Sequence, residues 1–300
     1  MSAAAAVGPP ASPFPPRPSP STRSESATPD SSSPAAAGEP YAVKPLPVEF
    51  PLTSFSSTPH NVAAFAFVLG ACWALGLVLV ATNAASWFSW TPDAQAQQSP
   101  WTQRLWEGAL HSPQLGMYLA CWASFHTLEF VVTSMYNPGK LSVSSYLLDN
   151  GRAYPAAHMA GMIEHILENA FLPAGYRRWK HVGGIFFLGL AVTAFGQFLR
   201  SFAMISASSN FSHVKRPGHE LVTSGIYSWS RHPSYAGFFW WAVGTQILLG
   251  NPICVIVFVA SLQYFFSSRL RTEERYLVKF FGQQYEDYRR RVPTRIPFVP

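Results

Sequence analysis

The chain has 300 residues, of which 48% are hydrophobic, 15% aromatic and only 12% charged, with a net charge of +6 at neutral pH. Soluble domains carry about 25% charged residues, so the composition argues against an ordinary soluble globular protein. The three cysteines, Cys72, Cys121 and Cys254, each lie in an apolar run. They read as small buried hydrophobes and not as a disulfide framework or a zinc site.

Residues 1–58 are a different material, rich in Pro, Ser and Ala. Such a segment buries too little apolar surface to offset its ordering entropy and is expected to be a disordered cytosolic tail. It opens Met-Ser-Ala-Ala without a basic start before an apolar core, so no cleaved secretory signal is expected. A bilayer-spanning helix needs about 20 mostly apolar residues. Runs of that kind occupy 62–82, 114–136 and 182–206. A weaker one, 155–173, carries His158, Glu164, His165 and Glu168. A pair at 236–250 and 252–267 is divided by Asn251-Pro252, where proline closes one helix and opens the next. The expected architecture is therefore an all-α polytopic membrane bundle of about six spans, ending in a tight helical hairpin. Glu164, His165 and Glu168 are expected to make polar contacts inside the bundle, and no metal is expected there.

Residues 59–206 are then expected to form the N-terminal transmembrane helices, and 207–300 a C-terminal region that carries the hairpin. Six spans place both termini on one side. Arg289, Arg290, Arg291 and Arg295 mark that side as cytosolic, because cytoplasmic loops carry the excess of Lys and Arg. A basic cluster after apolar spans suits anionic headgroups at the bilayer surface better than nucleic acid. One observation pulls the other way: Arg177, Arg178 and Lys180 would face the lumen unless 155–173 is re-entrant or they sit among headgroups. Segment 207–235 is expected to be a cytosolic loop, leaving the sequon Asn210-Phe211-Ser212 bare. Residues 268–291 are expected to form a separate charged helix at the membrane surface.

Ionisable residues at the edge of apolar spans are costly and point to chemistry. Arg231, His232 and Tyr235 precede the hairpin, and Arg269, Glu273 and Glu274 follow it. A hairpin returns its two ends to one level, so these groups should converge on one pocket at the membrane–cytosol boundary. Pro233 suits a first helical turn, whose free N–H groups can receive an anion. Each piece also has a plain reading: Arg269 and Glu273, four apart, could be a surface ion pair, and Tyr227 and Tyr235 could be interfacial belt aromatics. No Gly-x-Gly-x-x-Gly loop appears, which argues against a Rossmann domain.

Taken together, several stretches from 209 to 298 resemble the isoprenylcysteine carboxyl methyltransferases, integral membrane enzymes of the endoplasmic reticulum. They are Ser209-Asn210-Phe211-Ser212-His213, Leu221-Val222-Thr223-Ser224-Gly225-Ile226-Tyr227, Arg231-His232-Pro233-Ser234-Tyr235-Ala236-Gly237, Gly244-Thr245-Gln246 with Asn251-Pro252-Ile253-Cys254, Glu273-Glu274, and Phe280-Phe281-Gly282 on through Arg291-Val292-Pro293-Thr294 to Pro297-Phe298. The resemblance implies S-adenosylmethionine (S-adenosyl-L-methionine) as methyl donor. It implies cofactor contacts at His219, Glu220, Leu221, Val222, Tyr227, His232, Pro233, Ser234, Tyr235 and Glu273, and a substrate contact at Arg269. Arg231, Arg269 and Glu273 are the expected catalytic set. The implied partners are C-terminally prenylated proteins, farnesyl or geranylgeranyl, and the lipid bilayer. The family often has a longer linker after its Asn-Phe-x-His stretch, with a polar cofactor contact in it; here only Val214 to Gly218 remain, where Lys215 or Arg216 would stand in.

The implied reaction is methyl esterification of a C-terminal α-carboxylate. That group has a pKa of about 3.3–3.7 and is ionised at neutral pH, so no general base is required. Two rival readings are a membrane phospholipid N-methyltransferase and an NADPH-dependent sterol reductase. The first would need a neutral amine, and the second tends to have Asp where Phe238 follows Gly237.

Overall fold

A computed structural model describes residues 57–83, 100–110, 112–148, 150–173, 180, 183–211 and 220–299. The tail expected at 1–58 lies almost wholly outside them, as do His219, Lys215, Arg216, Arg177 and Arg178. Among the described residues the helices are α1 (Pro59–Asn83), α2 (Trp101–Leu110), α3 (Pro113–Tyr136), α4 (Ala153–Phe171), α5 (Gly183–Ala207), the single turn α6 (Ile226–Trp229), α7 (Pro233–Leu249), α8 (Pro252–Phe281) and α9 (Gln283–Arg291). No strand occurs among them. Four helices are long and apolar enough to cross a membrane, at Pro59–Asn83, Pro113–Tyr136, Gly183–Asn210 and Pro252–Phe281. The remaining two expected spans, 155–173 and 236–250, are helices as well, of 19 and 17 residues, but fall outside that length and composition criterion.

Local signals explain most boundaries. Ser112 accepts the N–H of Leu115 at 3.1 Å, and Pro113 opens α3. Gly250, at φ +69°, ends α7 in the left-handed conformation that glycine adopts without penalty. Pro252 then starts α8 one residue beyond Asn251, whose Nδ2 donates to the carbonyl of Gly161 at 2.8 Å and to Gln246 Oε1 at 3.0 Å. Glu164 reaches across from α4 and accepts the N–H groups of Ile253 (2.9 Å) and Cys254 (2.8 Å). A carboxylate on the positive end of a neighbouring helix satisfies donors that have no partner within their own helix.

Two expectations need correction. The charged C-terminal helix is not separate from the second arm of the hairpin. Nothing between Ile253 and Phe281 breaks a helix, so α8 runs unbroken for 30 residues until Gly282, at φ +58°, turns the chain into α9. Lys180 does not face the lumen or headgroups; it is 2% exposed and ion-paired with Glu168 of α4. His165, next to that pair, has Nδ1 2.7 Å from the carbonyl of Leu249 and Nε2 2.6 Å from Ser112 Oγ. Polar groups of α4 thus find partners inside the bundle, which lowers the cost of burying them.

The tightest packing joins α5 and α7. A Cβ on Gly196 would lie 2.1 Å from the backbone N of Trp241, and one on Gly189 would lie 2.2 Å from that of Leu248. Small residues let helix backbones touch where lipid supplies no hydrophobic drive to associate. Gly196→Leu is therefore expected to abolish the folded, monodisperse protein in detergent. The clash is with backbone and exceeds the about 1–3 kcal/mol of ordinary overpacking. Gly70→Leu, with nothing within 4 Å, should purify like the parent. Equal behaviour of the two variants in size-exclusion chromatography would show that α5 and α7 are not in backbone contact.

Candidate active site

The first turn of α7 and the far end of α8 meet at one end of the bundle. Glu274 is the junction. Arg231 Nε donates to its Oε1 at 2.6 Å, His232 Nε2 lies 3.1 Å from the same oxygen, and Arg289 Nη1 stands 3.7 Å from Oε2. One helical step away, Glu273 accepts the hydroxyl of Tyr235 at 2.6 Å, and Arg269 Nε donates to that hydroxyl at 3.4 Å. The ionic residues that flank the hairpin in sequence therefore converge, as the return of α8 alongside α7 requires.

The C-terminal residues lock this junction. Arg231 donates to the carbonyl of Val292 at 3.0 Å, and its backbone N–H to that of Pro293 at 3.0 Å. Ser230 Oγ donates to the carbonyl of Thr294 at 2.6 Å. Tyr288 donates to the carbonyl of Tyr227 at 2.6 Å. Burial pushes the phenol of Tyr227 up, as do Tyr288 and Glu273; burial also pushes up those of Tyr285 and Tyr288. All three remain neutral at physiological pH and act as hydrogen-bonding groups, not as charges.

These elements enclose a cavity of about 420 Å³. Its walls include Glu220, Leu221, Val222, Tyr227, Arg231, His232, Pro233, Ser234, Tyr235 and Glu273. Arg269 does not line it and stands behind Tyr235. Arg231 reaches the wall with its guanidinium engaged by Glu274 and Val292. Part of the lining comes from outside 207–300: Thr133, Asn137, Lys140 and the serines at 142, 144 and 145. Asn137 and Lys140 each donate to the carbonyl of Phe211 at 3.0 Å, and Asn210 accepts the N–H of Glu220 at 3.0 Å. The cavity is therefore not built from 207–300 alone.

The largest omission is Arg200. It lines the cavity from α5 at 8% exposure. Its Nε and Nη2 grip both oxygens of Glu129 on α3 at 2.8 and 2.9 Å, and its Nη1 donates to Ser234 Oγ at 2.7 Å. Both charges sit inside runs that read as plain membrane spans. Their signal in sequence was charge at membrane depth, which marks a functional position by default.

Chemically, the cavity offers carboxylates for a cation, guanidinium groups and the Ser234 N–H for an anion, and tyrosine faces for a planar ring. Among the described residues no cluster of metal-ligating side chains occurs. An all-helical membrane bundle with such a two-signed cavity at one end defines the class: an intramembrane protein with a built site for a polar ligand. The profile of the isoprenylcysteine carboxyl methyltransferase family matches residues 188–279. The chain is 36% identical over 252 residues to the protein-S-isoprenylcysteine O-methyltransferase of Xenopus laevis, covering 83% of this chain and 77% of that one. It is 41% identical over 191 residues to that of Saccharomyces cerevisiae, covering 61% and 79%. With the mouse protein it shares 44% identity over 188 residues, which is 61% of this chain and 65% of the mouse one. A solved structure, that of the eukaryotic intramembrane Ras methyltransferase, superposes with a TM-score of 0.65 at 33% identity over 80% of this chain and 77% of the other. The chain belongs to the isoprenylcysteine carboxyl methyltransferase family.

The Arg200–Glu129 pair can be tested directly. Glu129→Ala leaves a buried uncompensated guanidinium and is expected to cost about 3–5 kcal/mol. Joint replacement by Glu129→Leu and Arg200→Met should recover most of that loss in detergent unfolding. An unchanged unfolding transition in Glu129→Ala would remove the pair from any account of stability.

Proposed function

We propose that this chain is an S-adenosylmethionine-dependent enzyme of the endoplasmic reticulum membrane that methylates the C-terminal carboxylate of S-prenylated cysteine in CaaX-processed proteins. The observation that carries this reading is the convergence of the α7 start with Glu273 on one cavity, with Arg269 behind Tyr235 and Glu274 tying Arg231 and His232 in place, in a chain of this family. Family members elsewhere bear the name protein-S-isoprenylcysteine O-methyltransferase. The basic C-terminal residues support a cytosolic orientation of the cavity.

The residues present fit the methyl donor. About 420 Å³ lies within the range of small-molecule sites. Glu273 and Glu220 would receive its ammonium group, the Ser234 N–H at the start of α7 its carboxylate, and Tyr227 and Tyr235 the adenosyl part. When bound, S-adenosylmethionine supplies an electrophilic methyl group on a sulfonium.

The protein's task is then alignment and exclusion of water. Arg269, held against Tyr235, would orient the substrate carboxylate through one edge of its guanidinium, because a bidentate grip would quench the nucleophile. Tyr235 in turn fixes Glu273, so substrate and cofactor positions are coupled through one hydroxyl. Alignment of this kind corresponds to effective molarities of about 10⁵ M or more. A carboxylate needs no base, so His232 is free to serve as a structural and binding group beside Glu274.

Purified protein with radiolabelled methyl donor and N-acetyl-S-farnesyl-cysteine should yield base-labile label on that substrate. Label in phospholipid instead would establish the N-methyltransferase reading. Arg269→Ala should lower turnover about 10²–10³-fold, the scale of losing one charge-orienting contact. Binding of the demethylated cofactor should change far less. Parallel loss of turnover and cofactor affinity would refute the assignment of Arg269 to the substrate.

A further inference from the structure

A second hollow, about 530 Å³, lies against a different face of α8 and is lined by Ser268, Arg271, Thr272, Glu274, Arg275 and Arg289. Positions 268, 271, 272 and 275 share one helical face, and α9 adds Arg289 from the side. The adjacent residues Glu273 and Glu274 divide between the two spaces, the first lining the cavity and the second this hollow. Nothing in the proposed methyl transfer uses it.

Its charge is strongly one-sided. Three guanidinium groups face one carboxylate, and that carboxylate already receives Arg231 at 2.6 Å and lies 3.1 Å from His232. Arg289 is shared between Glu274 and Glu286. No carboxylate pairs with Arg271 or Arg275 among the described residues. Arg275 Nη2 instead donates to Thr272 Oγ1 at 3.4 Å, which lays its side chain along the hollow.

Its level in the bilayer follows from helix arithmetic. Twenty residues from Pro252 to Arg271 rise about 30 Å, the thickness of the hydrocarbon core. The same face continues down through Tyr264 (80% exposed), Val257 (50%) and Ile253 (64%), spaced at helical intervals of four and seven. An apolar stripe open to acyl chains thus runs directly into hydroxyl and guanidinium groups at headgroup height.

We propose that this hollow binds the phosphate-bearing headgroup of an anionic phospholipid, with an acyl chain lying along Ile253, Val257 and Tyr264. Arginine forks match phosphate oxygens two at a time. The surplus positive charge favours an anionic headgroup over a zwitterionic one, whose ammonium would meet the same arginines. This holds whichever reaction the cavity serves.

The full chain is reconstituted in phosphatidylcholine vesicles containing a trace of diazirine-acyl phosphatidylserine or diazirine-acyl phosphatidylcholine. Light-induced crosslinks on the Ile253–Arg275 segment are then mapped by mass spectrometry. The serine lipid is expected to label that segment several-fold more than the choline lipid. Arg271→Gln with Arg275→Gln should reduce its labelling about thirty-fold, the scale of two interfacial cations. Arg271→Lys with Arg275→Lys should retain most of it, which separates charge from fold. Equal labelling by the two lipids, or undiminished labelling of the glutamine variant, overturns the proposal. Loss of labelling in the presence of excess inorganic phosphate would assign the hollow to a soluble anion and overturn it equally.

Discussion

Arg200 and Glu129 are buried among apolar helices, and each is satisfied by the other. Neither charge is tolerable there alone, since breaking such a pair costs about 3–5 kcal/mol. The pair consequently fixes α3 against α5, and through Ser234 it fixes the first turn of α7 as well. That turn bears His232, Pro233, Ser234 and Tyr235, the residues that frame the cavity. The backbone contact of α5 with α7 along Gly189 and Gly196 works to the same end, leaving little freedom for one helix to slide on the other.

The second device is the hairpin. Gly250, Asn251 and Pro252 reverse the chain within three residues, and Glu164 of α4 holds the start of the returning helix. Because α8 continues unbroken past the level where α7 begins, its charged end stands beside residues that precede the hairpin. The C-terminal strap from Val292 to Val299 then ties to Ser230 and Arg231.

The hairpin was legible because its signals are local: a proline and an asparagine between two apolar runs. The convergence on Glu273 and Glu274 was legible because a hairpin leaves no other place for its flanking residues. Arg200 and Glu129 were not singled out, since each lies in a run that reads as an ordinary span and their partnership joins positions 71 apart in sequence. Asn137, Lys140 and Ser142, which also line the cavity, were equally silent, because a short polar connection between helices has many possible neighbours. The unbroken course of α8 was missed because the change from apolar to charged residues reads as a boundary, while the helix itself has no reason to stop before Gly282.

Sequence by itself determined the helical membrane composition, the reversal at Asn251-Pro252, and the set of ionic residues from Arg231 to Glu274 with its family resemblance. Those features rest on composition, spacing and turn chemistry, which act over a few residues. The tertiary structure decided which charges are paired, which helices touch through glycine, and that Glu273 and Glu274 look into different spaces. Such outcomes depend on how each helix is rotated about its axis. An apolar face turned toward lipid and one turned toward another helix are written in the same residues.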